Sequence, residues 1–437
     1  MPTLDRRAAA RRVLDRFSFG PRPGELTAAA ARGAATTLDL LLGSTADPGT
    51  RATPPPDIGP QPATPTKGDK AARAARSAAV REQQAVLLTW WLDRMVAAGG
   101  SAERLTWFWH GHFATSVQKV RDPRLMLIQN ETLRRSGSGS FTTLAHAMVV
   151  DPALLVWLDA QKNTVGTANE NLGREFMELF TLGVDHYTED DVRAGSRALT
   201  GWTVDRTNGT ARFRAARHDT GILTLLGRTG PLDAAGYVEL VLSQPSSAPF
   251  VAGRVWRRLV SDTPPPPDAQ ARLVSAYGDG RSISALLHAI VAEPAFLDRT
   301  STIVKQPVEW AVGLMRAVGV QPATLSHADQ RIVLASLTGM GQIPFAPPSV
   351  GGWPAGAAWL TTSAGVARLA LAKAVAAHAD LSVLQQGSAD SRVEAVRDLL
   401  GVDAFTARTR SALTGVASSP IQLLQAAASS PEYVVSA

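Results

Sequence analysis

The chain has 437 residues, enough for one large helical body or two ordinary domains, and in either case enough to bury a sizeable core. Hydrophobic residues make up 45% and charged ones 19%, with a mean hydropathy near zero. That excludes a disordered chain and, as no apolar run approaches the ~20 residues of a spanning helix, a transmembrane segment. Cysteine is absent, which removes disulfides, thiolate nucleophiles and cysteine-held metals together. The net charge of +6 comes from scattered arginines and not from a basic block, which argues against a nucleic-acid partner.

The start, Met-Pro-Thr-Leu-Asp-Arg-Arg, has no apolar stretch behind its paired arginines. As it stands it predicts a cytoplasmic protein; a signal removed beforehand would mean an exported one. Residues 5–43 read as two helices around Phe17-Ser-Phe-Gly-Pro-Arg-Pro-Gly24, where Gly and Pro punctuate the pattern. Residues 47–71 are rich in Pro, Gly, Thr and Lys and predict a flexible, solvated loop, dispensable for folding. Over 72–98 a long helix follows, with Val86 and Trp90, then Leu87, Trp91 and Met95, at the i+4 spacing of a core-facing stripe. The next helix enters Trp107-Phe-Trp-His-Gly-His-Phe-Ala-Thr-Ser116. Gly111 predicts its end, with His110 in the last turn and His112 beyond. On an unbroken helix the two rings would point about 200° apart, so a shared ligand needs that break.

Residues 122–161 predict further helices around Ser136-Gly-Ser-Gly139, with Asp151-Pro152 as a helix start. Thr167-Ala-Asn-Glu170 has the form of a capping box, and Leu172, Phe176, Leu179 and Phe180 form one apolar stripe behind it. Glu175 and Glu178 flank that stripe on the same side, one turn apart and close enough to couple. Thr188-Glu-Asp-Asp191 opens the next helix, on which Gly195 permits close helix contact. After Trp202 comes a hairpin read on a type I′ Asn208-Gly209 turn, leading to Arg217-His-Asp-Thr-Gly221 and a short strand ending at Gly227. Residues 232–300 are helical apart from Thr263-Pro-Pro-Pro-Pro267, and another helix starts near Pro307. Residues 339–359, dense in Gly, Pro and Trp, have no period and predict a loop that is functional or packed over something functional. The expected fold class is mainly α: one multi-helix domain over 1–437 with a small antiparallel β-hairpin insertion near 203–227.

These motifs together resemble the bacterial family of domain of unknown function 1800. The resemblance rests on Arg16-Phe-Ser-Phe-Gly-Pro21, Phe108–Ser116, Asn169–Gly183, Ala198-Leu-Thr-Gly-Trp202, His218-Asp-Thr-Gly221 with Leu226-Gly227, and Pro347-Pro-Ser-Val-Gly-Gly-Trp-Pro354. They run through nearly the whole chain in order. The resemblance implies no particular activity; it implies frequent export and pairing with a second exported protein of unknown function.

Without thiolates, imidazole and carboxylate are the donors that suit Zn, Fe or Mn, so His110, His112, His218 and Asp219 are the candidate metal donors. Glu175 and Glu178 are the candidate catalytic carboxylates. Three readings stay open: a metal-dependent enzyme, such as a hydrolase or oxidoreductase, with this site in a helical shell; a metal-free hydrolase in which the two glutamates divide acid and base roles on a glycan; and a non-catalytic binding or export-associated scaffold. No Gly-rich phosphate loop, Gly-x-Ser-x-Gly elbow or His-Glu-x-x-His is present. The expected geometry is convergence of His110, His112, Glu175, Glu178 and His218 on one cavity walled by Trp107, Trp109 and the loop around Trp353.

Overall fold

The structure is a computed structural model that describes residues 3–43 and 47–436. Of the Met1–Arg7 start read for an export signal, Met1 and Pro2 lie outside the described residues. The fold is mainly α, with small antiparallel hairpins. Helix starts follow local chemistry: Asp5, Asp69, Asp122, Asp151 and Asp233 each accept a first-turn backbone N–H, and Pro123, Pro152 and Pro307 stand where a missing N–H is harmless. Among the described residues no helix is long and apolar enough to cross a membrane.

The buried side chains form two clusters. One gathers Phe17, Trp109, Phe113, Phe176, Phe180, Tyr237 and Trp256; the other gathers Trp91, Trp107, Trp310 and the C-terminal helices. Helix Ala102–His112 lies between them and gives Trp107 to one and Trp109 to the other. It runs on through Gly111, so the break expected there does not occur. Helical geometry therefore keeps His110 with Trp107 and sends His112 to the opposite side with Trp109.

Residues 47–71 lie along helix Lys70–Ala97 and are tied to it and to its end. Asp47 is buried and accepts from Gly99 N at 2.5 Å, while the Thr53 carbonyl accepts from Trp90 Nε1 at 3.1 Å and Arg94 Nη1 at 2.6 Å. Gln83 and Arg76 likewise donate to the carbonyls of Ile58, Pro60 and Pro62. What the sequence hid is that, apart from the Asp47 carboxylate, the partners are backbone carbonyls, which need no apolar side chain in the loop.

The helix expected from Thr167 begins at Asn171, where the Asn169 side chain accepts from Asn171 N. Past Glu175 it widens into a π-helix over Phe176–Thr181. Thr188 and Asp191 form the expected reciprocal cap. Gly195 admits the Tyr237 ring, which a Cβ would meet at 2.6 Å.

Strand Trp202–Asp205 pairs with Thr210–Phe213, but through a four-residue loop in which only Gly209 has positive φ. The type I′ geometry instead falls at Leu226-Gly227, where both residues have positive φ and join Leu223–Leu225 to Arg228–Gly230. Asp191 holds that turn by accepting from Leu226 N at 2.6 Å. A third pair, Ile303–Val304 with Val435–Ser436, had no sequence signal because it is two residues long on each side.

Candidate functional site

The two histidines of helix Ala102–His112 do different things. The His110 Nε2 lone pair accepts from Phe345 N at 3.1 Å, and the ring is enclosed by Trp91, Trp107, Phe345 and Trp353. It anchors the Gly/Pro/Trp loop, and burial pushes its pKa down to about 3. On the other side, His112 Nε2 lies 2.9 Å from the Phe180 carbonyl, which is free to accept because the π-helix ends there. A carbonyl can only accept, so Nε2 carries the proton and Nδ1 is the bare lone pair. Nδ1 is buried and has no partner. Burial, then the Arg254 charge, lower the His112 pKa to about 3, so the ring is neutral.

His112 lines a cavity of about 220 Å³. Trp107 and Trp353 form one wall, stacked with ring centroids 4.9 Å apart. Gly352 brings the loop here: its φ is +82°, and any Cβ would overlap the Gly111 carbonyl. Gln306 completes this wall. Its Oε1 accepts from Trp107 Nε1 at 3.2 Å and Gln342 Nε2 at 2.9 Å.

The opposite wall is basic. Helix Ser247–Leu259 buries Val251, Ala252, Val255, Trp256 and Leu259 in the core and turns Arg254, Arg257 and Arg258 to the cavity at i, i+3 and i+4. Arg258 is paired with Glu309, which also takes Arg104. Arg254 and Arg257 meet no acceptor among the described residues. Burial, then the charge of Arg257, lower the Arg254 pKa. A half-buried guanidinium held against a second cation without a counter-ion is destabilising unless an anion joins it.

Arg254 and Arg257 also line a groove of about 930 Å³, together with Glu178, His186, Leu182 and Phe250. Glu178 accepts from the Tyr187 hydroxyl. Glu175, next to it, has its pKa raised by burial and then by Glu178, which is the coupling the one-turn spacing predicts. Residues 12–435 match the model described as protein of unknown function DUF1800. The chain belongs to the DUF1800 family. Neither a curated protein nor a solved structure matches it.

In this DUF1800 protein the residues singled out from the sequence come together only in part. His112, Trp107 and Trp353 share the small cavity, and Glu178 lines the groove that adjoins it. His110 faces away and Trp109 is core, its Nε1 donating to the Gly137 carbonyl at 2.7 Å. His218 Nδ1 lies 3.1 Å from the Thr200 carbonyl. Asp219 is clamped by Arg197 at 2.7 and 3.3 Å and accepts from Gly221 N, which pulls its pKa down. That pair fastens the hairpin to helix Glu189–Ala198. Among the described residues no three His, Asp or Glu side chains stand close enough to hold a metal ion, so His110, His112, His218 and Asp219 are not brought together as donors. The residues missed were Arg254, Arg257 and Arg258. Their signal was present as a basic i, i+3, i+4 strip opposite an apolar face, in a stretch read only as helical.

Proposed function

We propose that this protein binds a small anionic ligand in the cavity between helix Ala102–His112, helix Ser247–Leu259 and the loop carrying Trp353, and that His112 is the proton acceptor beside it. The observation that carries this reading is Arg254, a half-buried guanidinium in a cavity with no acceptor of its own. A bound carboxylate or other oxyanion would supply the missing charge through paired N–H donors. His112 fits the acid–base role because the Phe180 carbonyl fixes its tautomer and leaves Nδ1 bare. An anion beside Arg254 would also raise the His112 pKa, making it a better base when the site is filled than when it is empty.

A metal at His112 draws support from one feature: an imidazole whose far nitrogen donates to a carbonyl is how a ligating histidine is commonly held. The surrounding charge favours the anion, since Arg254, Arg257 and Arg258 would repel a cation. The unpaired guanidiniums sit in a concavity instead of along a face, which supports a small ligand over a polyanion.

The test is thermal unfolding at constant ionic strength with acetate replacing chloride, on the wild type and on Arg254→Gln. Acetate is expected to raise the melting temperature of the wild type, since a ligand binding only the native state stabilises it by mass action. Arg254→Gln should lose that response. An equal acetate response in both proteins would refute the reading.

A further inference from the structure

The groove beyond Arg254 and Arg257 differs in chemistry from the pocket. Leu179, Leu182, Val184, Pro249, Phe250 and Pro264 make its walls apolar. Its amide nitrogens are engaged: Gln244 Nε2 donates to the Leu240 carbonyl at 3.1 Å, and Gln270 Nε2 to the Pro249 carbonyl at 2.8 Å. His186 and Ser246 also line it, and their side chains have no partner among the described residues. Against its apolar walls an aliphatic chain buries more nonpolar surface than a sugar chain does. The groove's volume of about 930 Å³ is several times that of the pocket, so its occupant is larger than a bare anion. Glu178 lines the same groove, which makes a singly charged head group a better match to the two free guanidiniums than a dianion.

We infer that the ligand is an amphiphilic carboxylic acid, its carboxylate between Arg254 and Arg257 and its aliphatic chain lying in the groove past Leu182, Val184 and Phe250. This deepens the anion-binding reading and rests on it. Charge fixes the head at the arginine end, and the apolar walls select the tail. Val184 lines the groove and is 60% exposed, so its side chain is open to contact with the tail.

The experiment is isothermal titration of the full chain with monomeric decanoate, acetate and decanol. It is done on the wild type, on Arg254→Gln and on Val184→Asp, an exposed position where the change leaves the core intact. Decanoate is expected to bind about tenfold or more tighter than acetate, given the free energy released by each buried methylene. Decanol should bind much more weakly than decanoate, Arg254→Gln should bring decanoate down to the decanol level, and Val184→Asp should weaken decanoate several-fold more than it weakens acetate. If acetate binds in an Arg254-dependent way but decanoate is no tighter, the groove is not a tail site; this inference then falls while the anion site stands. If decanoate and decanol bind alike in all three proteins, the chain is adsorbing non-specifically and the inference is overturned. If neither anion responds to Arg254→Gln, the anion-binding reading itself has failed.

Discussion

Lowering the pH from 7 to 5 should destabilise this protein, and His112→Gln should remove a definable part of the effect. His112 is neutral in the native state with a pKa of about 3, against 6.5 for a free imidazole. Its folded pKa is depressed, so between those values the unfolded chain binds the extra proton; stability is fully present above pH 6.5 and is lost as the pH falls. At ~1.36 kcal/mol per unit, moving from pH 7 to pH 5 costs about 2 kcal/mol from this ring. His110, also lowered to about 3, adds about the same. Asp151 works in the opposite direction. Burial raises its pKa to about 7, so its folded value lies above the ordinary 3.8 and its contribution is lost as pH rises through that window. Acidification to pH 5 regains about 2 kcal/mol there, and the three groups together leave a net loss of about 2 kcal/mol. Glutamine at position 112 can still donate to the Phe180 carbonyl but does not titrate. Urea unfolding of wild type and His112→Gln at both pH values isolates the one ring, because His110 and Asp151 cancel in the difference. The wild type should lose about 2 kcal/mol more than the variant on acidification. Equal losses in the two proteins would mean that His112 is hydrated or charged in the native state, and the case for a bare Nδ1 would collapse.

Gly352→Ala should destabilise by about 2 kcal/mol or more, from left-handed backbone strain plus overlap with the Gly111 carbonyl. Tryptophan fluorescence should shift as Trp353 leaves Trp107, and an unchanged spectrum and midpoint would argue against the close approach. Glu309→Ala leaves Arg104 and Arg258 without their shared carboxylate; breaking a buried pair this way costs about 3–5 kcal/mol, readable in the urea midpoint. Asp47→Ala should cost about 1–3 kcal/mol in the same assay, because the N–H groups of Gly49 and Gly99 lose their acceptor. A neutral result there would restore the picture of residues 47–71 as a solvated tether.

The helices were legible because period and caps are local. Leu87, Trp91 and Met95 do face the core, and Thr188 with Asp191 does cap its helix. Where local rules misled, a distant partner had overridden them. The Asn208-Gly209 pair has the composition of a type I′ turn, yet that geometry went to Leu226-Gly227, where Asp191 from another helix accepts the Leu226 N–H. The Thr167 cap was displaced because Asn163 and Asn169 bracket each other at 3.0 and 3.1 Å. Gly111 reads as a helix stop, but the helix runs through it, and the close approach of the loop depends instead on Gly352, whose Cβ would overlap the Gly111 carbonyl.

The site was half legible for a related reason. Histidines and paired glutamates attract notice because their chemistry is read residue by residue, whereas the meaning of an arginine depends on whether it has a counter-ion. Arg104, Arg258 and Arg254 look alike in sequence. Only in the fold does Glu309 claim the first two and leave the third facing a cavity beside a neutral imidazole. The same logic divides His110 from His112. Both are buried and both have their pKa lowered to about 3, but one lone pair is spent on Phe345 N and the other is not. The proposed function therefore rests on groups without partners among the described residues, a guanidinium without a carboxylate and an imidazole nitrogen without a donor, beside a groove with apolar walls. A single amphiphilic acid would pair the guanidinium and cover the apolar walls of the groove at once, which is why that ligand class is proposed ahead of a metal ion, which the same arginines would repel.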